Sequence, residues 1–209
     1  MLNESGDMAD GESKKELVVV VSGPSGVGKS TICQGVVRQL NDVYLSTSVT
    51  TRPKGPEEID GEDYWYITRE EFERRIENDE LLEYAEVFGN LYGTPKDNVA
   101  EALEAGNTVI LEIDVQGGKQ AKALYPDAVM IFILAPTQKE LAERMKSRGR
   151  EDDQAAQERL SEADSEVAAA WQYYEHMVIN EELAEAVREV VEIIKGARTR
   201  KQRAMGQQN

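Results

Sequence analysis

Short apolar runs alternate with amphipathic segments along most of the chain. The first run, LVVVVS at 17–22, is rich in β-branched valine and predicts a buried strand. The next segment, 30–40, places Ile32, Val36 and Leu40 four residues apart, which is the spacing of one helical face. Further strands are predicted at 108–114, 128–135 and 177–179, and further helices at 116–124, after Thr137, at 151–174 and at 181–198. This alternation predicts an α/β fold in which helices cover both faces of a parallel sheet.

The alternation breaks between about residues 48 and 97. Two prolines and two glycines within 52–61 predict a loop there. We interpret the whole region as an insertion in which a second substrate could bind. The elements predicted around the loop are strands at 44–50, 64–67 and 81–87, and helices that begin after Thr68 and at Pro95.

The length of 209 residues suits one domain, with an acidic tail at 1–15 that is predicted to be disordered and a polar tail at 199–209. The single cysteine, Cys33, excludes an internal disulfide and is typical of a reducing compartment. The chain begins acidic and polar, so no secretory signal is predicted, and no apolar run is long enough to cross a bilayer. These features predict a cytoplasmic protein.

The chain is strongly acidic, with 40 Asp and Glu residues against 24 Lys and Arg and a formal net charge of -16. Such a charge repels nucleic acids and anionic membranes, so neither is expected as a partner. It also repels nucleotides, so an enzyme that handles phosphate would have to concentrate its basic residues locally. Basic residues do cluster at 144–159, although scattered solvent-facing charges would give the same pattern.

The sequence GPSGVGKS at 23–30 lies between the first predicted strand and the first predicted helix. It has the form of a Walker A phosphate loop, in which glycines let backbone N–H groups point at a phosphate chain. In such a loop the helix adds its positive dipole end, Lys29 is expected to reach the β- and γ-phosphates, and the Ser30 hydroxyl is expected to bind Mg²⁺. A glycine-rich turn is the alternative, but the placement favours nucleotide binding. The predicted ATP-binding residues here are Gly23, Pro24, Ser25, Gly26, Val27, Gly28, Lys29, Ser30 and Thr31.

Hydroxyl-bearing residues are dense at 46–51, and the run ends at Arg52. Arginine is suited to bidentate capture of phosphate, and hydroxyls bind phosphate without adding charge. A β-prone threonine run followed by a surface arginine is the alternative interpretation.

Beside the phosphate loop, the chain carries a series of further short motifs: SVTTR at 48–52, GEDY at 61–64, LEYAE at 82–86, GNLYGT at 89–94, LEIDVQG at 111–117, SRG at 147–149 and VIN at 178–180. In their order and spacing, from about residue 16 to 197, these motifs resemble those of guanylate kinases. The resemblance implies a three-layer α/β/α fold with a central parallel sheet, an inserted GMP-binding subdomain and a helical lid. It divides a domain at 16–198 into a core (16–47, 98–147 and 173–198), the GMP-binding subdomain (48–97) and the lid (148–172).

The same resemblance implies a reaction. The γ-phosphoryl group of ATP is transferred to GMP, and also to dGMP, with Mg²⁺ as cofactor, and GMP is converted to GDP in purine nucleotide metabolism. The partners are then the small-molecule substrates ATP and GMP, and the protein is a monomer or a homodimer.

Residue roles follow from the resemblance by position. A carboxylate accepts from guanine N1–H and the 2-amino group together, which adenine cannot offer. A solvated glutamate and packed tyrosines remain the alternatives for Glu83, Tyr64 and Tyr92. The positions that match contacts to the GMP phosphate are Ser48, Arg52, Tyr64 and Tyr92, and those that match guanine contacts are Glu83, Thr94 and Asp114.

Positive charge over the transferred phosphoryl group is the second implied role. Arg144, Arg148 and Arg159 match the lid arginines of the family, although each could instead pair with glutamates along a helix. Together with Lys29 and Arg52 they form the implied catalytic set. Asn180 matches a further ATP-binding position, and Glu112 joins Ser30 at the metal.

Two positions depart from the family pattern. Gly55 stands where a second phosphate-binding arginine is usual, and we hypothesise that the neighbouring Lys54 partly replaces its charge. Glu112 stands where some relatives carry aspartate, which keeps a carboxylate near the metal. The only histidine, His176, and Cys33 are expected to be structural.

Two other functions remain open. One is a catalytically inactive module of the same fold that binds proteins, which the intact Lys29 and Ser30 disfavour. The other is a kinase for a different nucleoside monophosphate, which Glu83 and Asp114 disfavour and Gly55 leaves open.

Overall fold

The computed structural model describes residues 17–147 and 153–206. Among these residues, the strands β2, β7, β1, β8 and β9 form a parallel sheet in that spatial order, which confirms the predicted α/β fold. The elements in chain order are β1 (Leu17–Ser22), α1 (Lys29–Gln39), β2 (Val43–Leu45), β3 (Val49–Thr50), β4 (Trp65–Tyr66), α2 (Arg69–Glu77), β5 (Leu81–Val87), β6 (Asn90–Pro95), α3 (Lys96–Glu104), β7 (Thr108–Glu112), α4 (Val115–Leu124), β8 (Val129–Leu134), α5 (Gln138–Ser147), α6 (Asp153–Tyr173), β9 (His176–Ile179) and α7 (Leu183–Gly206).

The side chains of β1 alternate between two hydrophobic cores. Val19 and Val21 pack in the core that α1 and α7 cover. Val18 and Val20 pack in the opposite core, which α3, α4 and α6 cover. Because successive side chains of a strand point to opposite faces, this all-apolar run places the sheet between two helical layers.

A second, smaller sheet is formed by β4, β3, β6 and β5 in that order. β3 runs parallel to β4 and antiparallel to β6, and β5 is antiparallel to β6. Phe72 of α2 is fully buried against Val49, Leu81 and Leu91 of this sheet. Thr68 caps α2 as predicted, because its hydroxyl accepts a hydrogen bond from the Glu71 N–H. The second sheet therefore has a hydrophobic core of its own.

The strand predicted at 44–50 is in fact two strands, β2 and β3, in different sheets. Ser46 N–H still donates to the carbonyl of Ile110 in the larger sheet, at 3.0 Å. Two residues later, the carbonyl of Ser48 accepts from Trp65 N–H in the smaller sheet, at 2.9 Å. The chain crosses between the sheets within a run of hydroxyl residues, where neither glycine nor proline marks the change.

Two other predictions about elements were wrong. β6 was not predicted as a strand, because asparagine and glycine are poor strand formers, yet it pairs with both β3 and β5. The last helix does not end near residue 198 but continues to Gly206, so much of the predicted polar tail is helical. The predicted acidic tail at 1–15 lies outside the described residues. Within the described part of the chain, no helix is long and apolar enough to span a membrane.

Candidate active site

The phosphate loop runs from the end of β1 to the start of α1. Gly28 is the N-cap of α1 and has a φ of +98°, a conformation that favours glycine. A Cβ atom at Gly28 would also meet the side-chain amide of Asn180. That amide donates a 2.8 Å hydrogen bond to the carbonyl of Val27, while the Asn180 N–H donates to the carbonyl of Leu134 at 2.8 Å. Asn180 therefore fixes the backbone of the phosphate loop from the end of β9.

Lys29 and Ser30 begin α1 at the mouth of the loop. Lys29 Nζ donates to the carbonyls of Gly23 at 2.6 Å and Pro24 at 3.2 Å, so the ammonium group lies over the loop. The Ser30 hydroxyl donates a 2.6 Å hydrogen bond to the Glu112 carboxylate at the end of β7. A hydroxyl and a carboxylate are oxygen ligands of the kind that Mg²⁺ prefers. Two such ligands are enough for a protein site, because Mg²⁺ also binds substrate phosphates and water.

A cleft of about 100 Å³ lies where the start of α1 and the end of β7 meet the residues that precede β3 and β4. Ser30 and Glu112 line it together with Ser48 and Tyr64. Ser46 also lines the cleft, and its buried hydroxyl has no hydrogen-bond partner among the described residues. The hydroxyl-rich run is visible in the sequence, but only Ser48 was assigned from it. The cleft brings residues predicted to bind the metal and residues predicted to bind GMP to one place.

Arg52 follows β3 and lies among tyrosine rings. Its guanidinium carbon is 5.4 Å from the ring centroid of Tyr64 and 5.7 Å from that of Tyr66. The rings of Tyr64 and Tyr92 meet edge-on with their centroids 5.9 Å apart. Burial, and secondarily the charge of Glu112, raises the pKa of Tyr64, so its hydroxyl stays protonated. The structure thus brings Arg52, Tyr64 and Tyr92 into one cluster, and Ser48, the fourth residue predicted to contact the GMP phosphate, lines the cleft together with Tyr64.

Glu58 holds the Arg52 guanidinium and was not singled out from the sequence. The two side chains share two hydrogen bonds, Nη1 to Oε2 at 3.0 Å and Nη2 to Oε1 at 2.8 Å. The bond from Arg52 lowers the pKa of Glu58 to about 2. The hydroxyl of Tyr66, also unassigned, donates to Glu58 at 2.8 Å. Among 40 acidic residues no pattern distinguishes Glu58, and only the folded loop brings it to Arg52.

The three residues predicted to contact guanine lie close together. Glu83 on β5 accepts a 2.6 Å hydrogen bond from the Thr94 hydroxyl on β6. Burial raises the pKa of Glu83 to about 7; the hydrogen bond from Thr94 opposes this shift, and the charge of Asp114 adds to it. Asp114 caps α4 by accepting from the N–H groups of Gln116 at 2.6 Å and Gly117 at 2.9 Å. Glu83, Thr94 and Asp114 therefore form one acidic site between the second sheet and α4.

The predicted lid arginines are only partly described. Arg144 on α5 donates to the backbone carbonyl of Asn180 at 3.0 Å, which places it beside the phosphate loop. Arg148 lies outside the described residues. Arg159 belongs to α6, but its side chain is likewise outside the described part.

A phosphate loop at the carboxyl end of the first strand of a parallel sheet defines the class of P-loop nucleotide-binding α/β proteins. The sequence model of the guanylate kinase family matches residues 15–197. The guanylate kinase of Carboxydothermus hydrogenoformans is 44% identical over 180 residues, which is 86% of this chain and 88% of that protein. That of Gloeobacter violaceus is 46% identical over 177 residues, with 85% and 86% covered. The crystal structure of guanylate kinase from Anaplasma phagocytophilum matches with a TM-score of 0.72 at 30% identity, over 87% of this chain and 85% of that chain. The chain therefore belongs to the guanylate kinase family.

Proposed function

We propose that this protein transfers the γ-phosphoryl group of ATP to GMP, giving ADP and GDP. The observation that carries the proposal is that one cleft is lined both by Ser30 and Glu112 and by Ser48 and Tyr64. Direct transfer between two nucleotides requires the donor γ-phosphate and the acceptor phosphate to meet in one place. Membership of the guanylate kinase family supports the same reaction.

On the donor side, the loop at 23–31 binds the triphosphate of ATP through its backbone N–H groups. Lys29, whose ammonium group lies over the loop, stabilises the charge that develops on the transferred oxygens. Asn180 keeps the loop in its binding conformation through the Val27 carbonyl. Arg144, Arg148 and Arg159 belong to the proposed catalytic set, as positive charge that closes over the phosphates with a lid at 148–172.

On the acceptor side, Ser48, Arg52, Tyr64 and Tyr92 bind the phosphate of GMP, and Glu83, Thr94 and Asp114 bind guanine. The ionised carboxylate of Glu83 accepts from both N1–H and the 2-amino group. Adenine lacks both donors, so its binding would leave a buried carboxylate without partners. The base and phosphate contacts do not use the ribose 2′-hydroxyl, so dGMP is proposed as a second acceptor. The proposed GMP-binding subdomain spans 48–97.

Mg²⁺ is the proposed cofactor, because Ser30 and Glu112 offer it a hydroxyl and a carboxylate. When bound, the ion neutralises charge on the β- and γ-phosphate oxygens. The chain's own contribution is the pair of oxygen ligands at the ends of the phosphate loop and β7. A cytoplasmic location is proposed because the one cysteine, Cys33, is buried and free.

The test is a coupled assay of ADP formation from ATP, with GMP, dGMP, AMP, CMP and UMP offered separately. We expect turnover with GMP and dGMP, and at least about a hundredfold less with the other three acceptors. Comparable turnover with AMP would contradict guanine selection. A lack of turnover with every acceptor would contradict the kinase assignment and favour a module that binds proteins.

A further inference from the structure

The ion pair between Arg52 and Glu58 has a defined orientation. Glu58 meets the guanidinium at the edge formed by Nη1 and Nη2, with N–O distances of 3.0 and 2.8 Å. The second hydrogen of Nη1 is directed to the backbone carbonyl of Pro53, at 3.0 Å. Both side chains are about one-quarter exposed, so the pair lies at the surface of the site.

A guanidinium has five N–H donors, and these contacts use three of them. The two that remain, Nε–H and the second N–H of Nη2, lie along one edge of the planar group. That edge has the same spacing as the edge that Glu58 occupies, so it matches two oxygens of a phosphate. Within the described part of the chain, no hydrogen bond is made by Arg52 Nε.

Glu58 is itself anchored, which distinguishes it from a loose counterion. Its Oε2 atom also accepts from the Gly55 N–H at 2.6 Å and from the Tyr66 hydroxyl at 2.8 Å. Its backbone carbonyl accepts from Lys54 Nζ at 2.7 Å. A phosphate that displaced Glu58 from Arg52 would have to break the two bonds of the ion pair and disturb these contacts. Binding at the open edge of Arg52 disturbs none of them.

We propose that Glu58 is a positioning residue: it holds the Arg52 guanidinium end-on, so that the edge formed by Nε and Nη2 faces the phosphate of the acceptor nucleotide. The inference rests on the proposed function, because it takes Arg52 as the group that binds the GMP phosphate. The rings of Tyr64 and Tyr66, 5.4 and 5.7 Å from the guanidinium carbon, pack beside the same group. Gly55 contributes a backbone N–H donor to Glu58 at 2.6 Å, from the same loop that carries Arg52.

The test compares Glu58→Gln with the matched control Glu71→Gln. Glu71 lies in the same subdomain and pairs with Arg74 and Arg75, but at a helix surface. Glu58→Gln places an amide N–H₂ group against a guanidinium donor, so it loses one bond and the charge of the pair. In Glu58→Gln we expect the KM for GMP to rise about tenfold or more and the KM for ATP to stay unchanged. In Glu71→Gln we expect both constants to match those of the parent protein.

Binding measurements separate positioning from general damage. By calorimetry, Glu58→Gln should weaken the binding of GMP but leave that of guanosine, which has no phosphate, unchanged. In an Arg52→Ala background, Glu58→Gln should add nothing to the KM for GMP, because the two residues act as one unit. If Glu58→Gln does not fold, Tyr66→Phe keeps the ion pair and removes one anchor, and a rise of about two- to fivefold in the KM for GMP is expected.

Any one of three outcomes would overturn the inference. A lower KM for GMP in Glu58→Gln would mean that Glu58 competes with the phosphate for Arg52. An unchanged KM, or an equal loss of guanosine binding, would mean that Glu58 does not position Arg52 for phosphate. A parent protein that does not phosphorylate GMP would instead refute the proposed function, so the two failures are distinguishable.

Discussion

The hydroxyl of Thr94 donates a 2.6 Å hydrogen bond to the carboxylate of Glu83, and both side chains are buried. Thr94 thereby occupies one oxygen of the Glu83 carboxylate. Burial nevertheless dominates and raises the pKa of Glu83 to about 7. The group proposed to select guanine thus changes its charge near neutral pH.

Guanine recognition should therefore depend on pH. Only the ionised Glu83 accepts from N1–H and the 2-amino group, so the KM for GMP should rise about tenfold between pH 8 and pH 6. The second ionisation of a phosphate monoester also lies near roughly pH 6, so Glu83→Gln is the necessary reference. Its KM for GMP should be high and should show only the phosphate titration. If the KM for GMP depended on pH in the same way in Glu83→Gln and in the parent protein, the prediction would be refuted.

The same group should make the stability of the ligand-free protein depend on pH. The folded-state pKa lies above the usual value of 4.5, so the folded state holds a proton that the unfolded state releases. The contribution of Glu83 to the free energy of unfolding is fully present below about pH 4.5 and is lost as the pH rises through about 7. At pH 8 the melting temperature of Glu83→Gln should accordingly be higher than that of the parent protein. At pH 5 the difference between the two melting temperatures should close.

Gly117 makes room for the Glu83 carboxylate at the start of α4. A Cβ atom at Gly117 would overlap a carboxylate oxygen of Glu83, so Gly117→Ala must displace that side chain. We expect the KM for GMP to rise about tenfold or more, with little change in the KM for ATP. Gly196→Ala, where the nearest atom to the new Cβ is the end of Arg200 at 3.4 Å, is the control and should be as active as the parent protein. A normal KM for GMP in Gly117→Ala would show that Glu83 does not need its present position.

Local patterns in the sequence explain why some features were predicted and others were not. The parallel sheet follows from apolar runs such as β1, whose valines are buried on both faces. The phosphate loop is likewise a contiguous motif. The contact between Arg52 and Glu58 depends on how an irregular loop turns back on itself, and no periodicity encodes that turn. The buried hydroxyl of Ser46 was missed for a related reason: residues 46–48 line the cleft because the chain crosses there from β2 to β3, and no pattern in the sequence marks that crossing.

A substitution of Lys29 tests whether its ammonium group takes part in phosphoryl transfer from ATP. Lys29→Met keeps an unbranched side chain that is one atom shorter and removes the ammonium group that lies over the Gly23 and Pro24 carbonyls. We expect kcat to fall about 10²- to 10³-fold, because a charge that stabilises the transferred phosphoryl group is lost. Lys195→Met, on the exposed surface of α7, should retain the activity of the parent protein. If Lys29→Met turned over as fast as the parent protein, the phosphate-loop mechanism would be wrong.

Lys54 tests whether charge at the acceptor phosphate is supplied by a neighbour of Gly55. Its ammonium group is held at the Glu58 carbonyl, in the same loop as Arg52, and keeps two further N–H donors. Lys54→Ala should raise the KM for GMP several-fold, by less than Arg52→Ala does, and the effect should shrink at high ionic strength. Steady-state kinetics at low and at high salt measure both expectations. An unchanged KM for GMP at low salt would discard the hypothesis.

Asn180 tests whether the phosphate loop is held by a side chain from β9. In Asn180→Asp an oxygen replaces the amide nitrogen that donates to the Val27 carbonyl, so two acceptors face each other at a buried position. We expect the KM for ATP to rise about tenfold and the free energy of unfolding to fall by about 1–3 kcal/mol, while the KM for GMP changes little. Asn90→Asp is the matched control, because Asn90, at the start of β6, also donates its amide to a carbonyl, that of Phe88 at 3.1 Å, but in a solvent-exposed hydrogen bond. If both variants had the same KM for ATP as the parent protein, the bond from Asn180 would be dispensable and the loop would keep its shape through its own backbone.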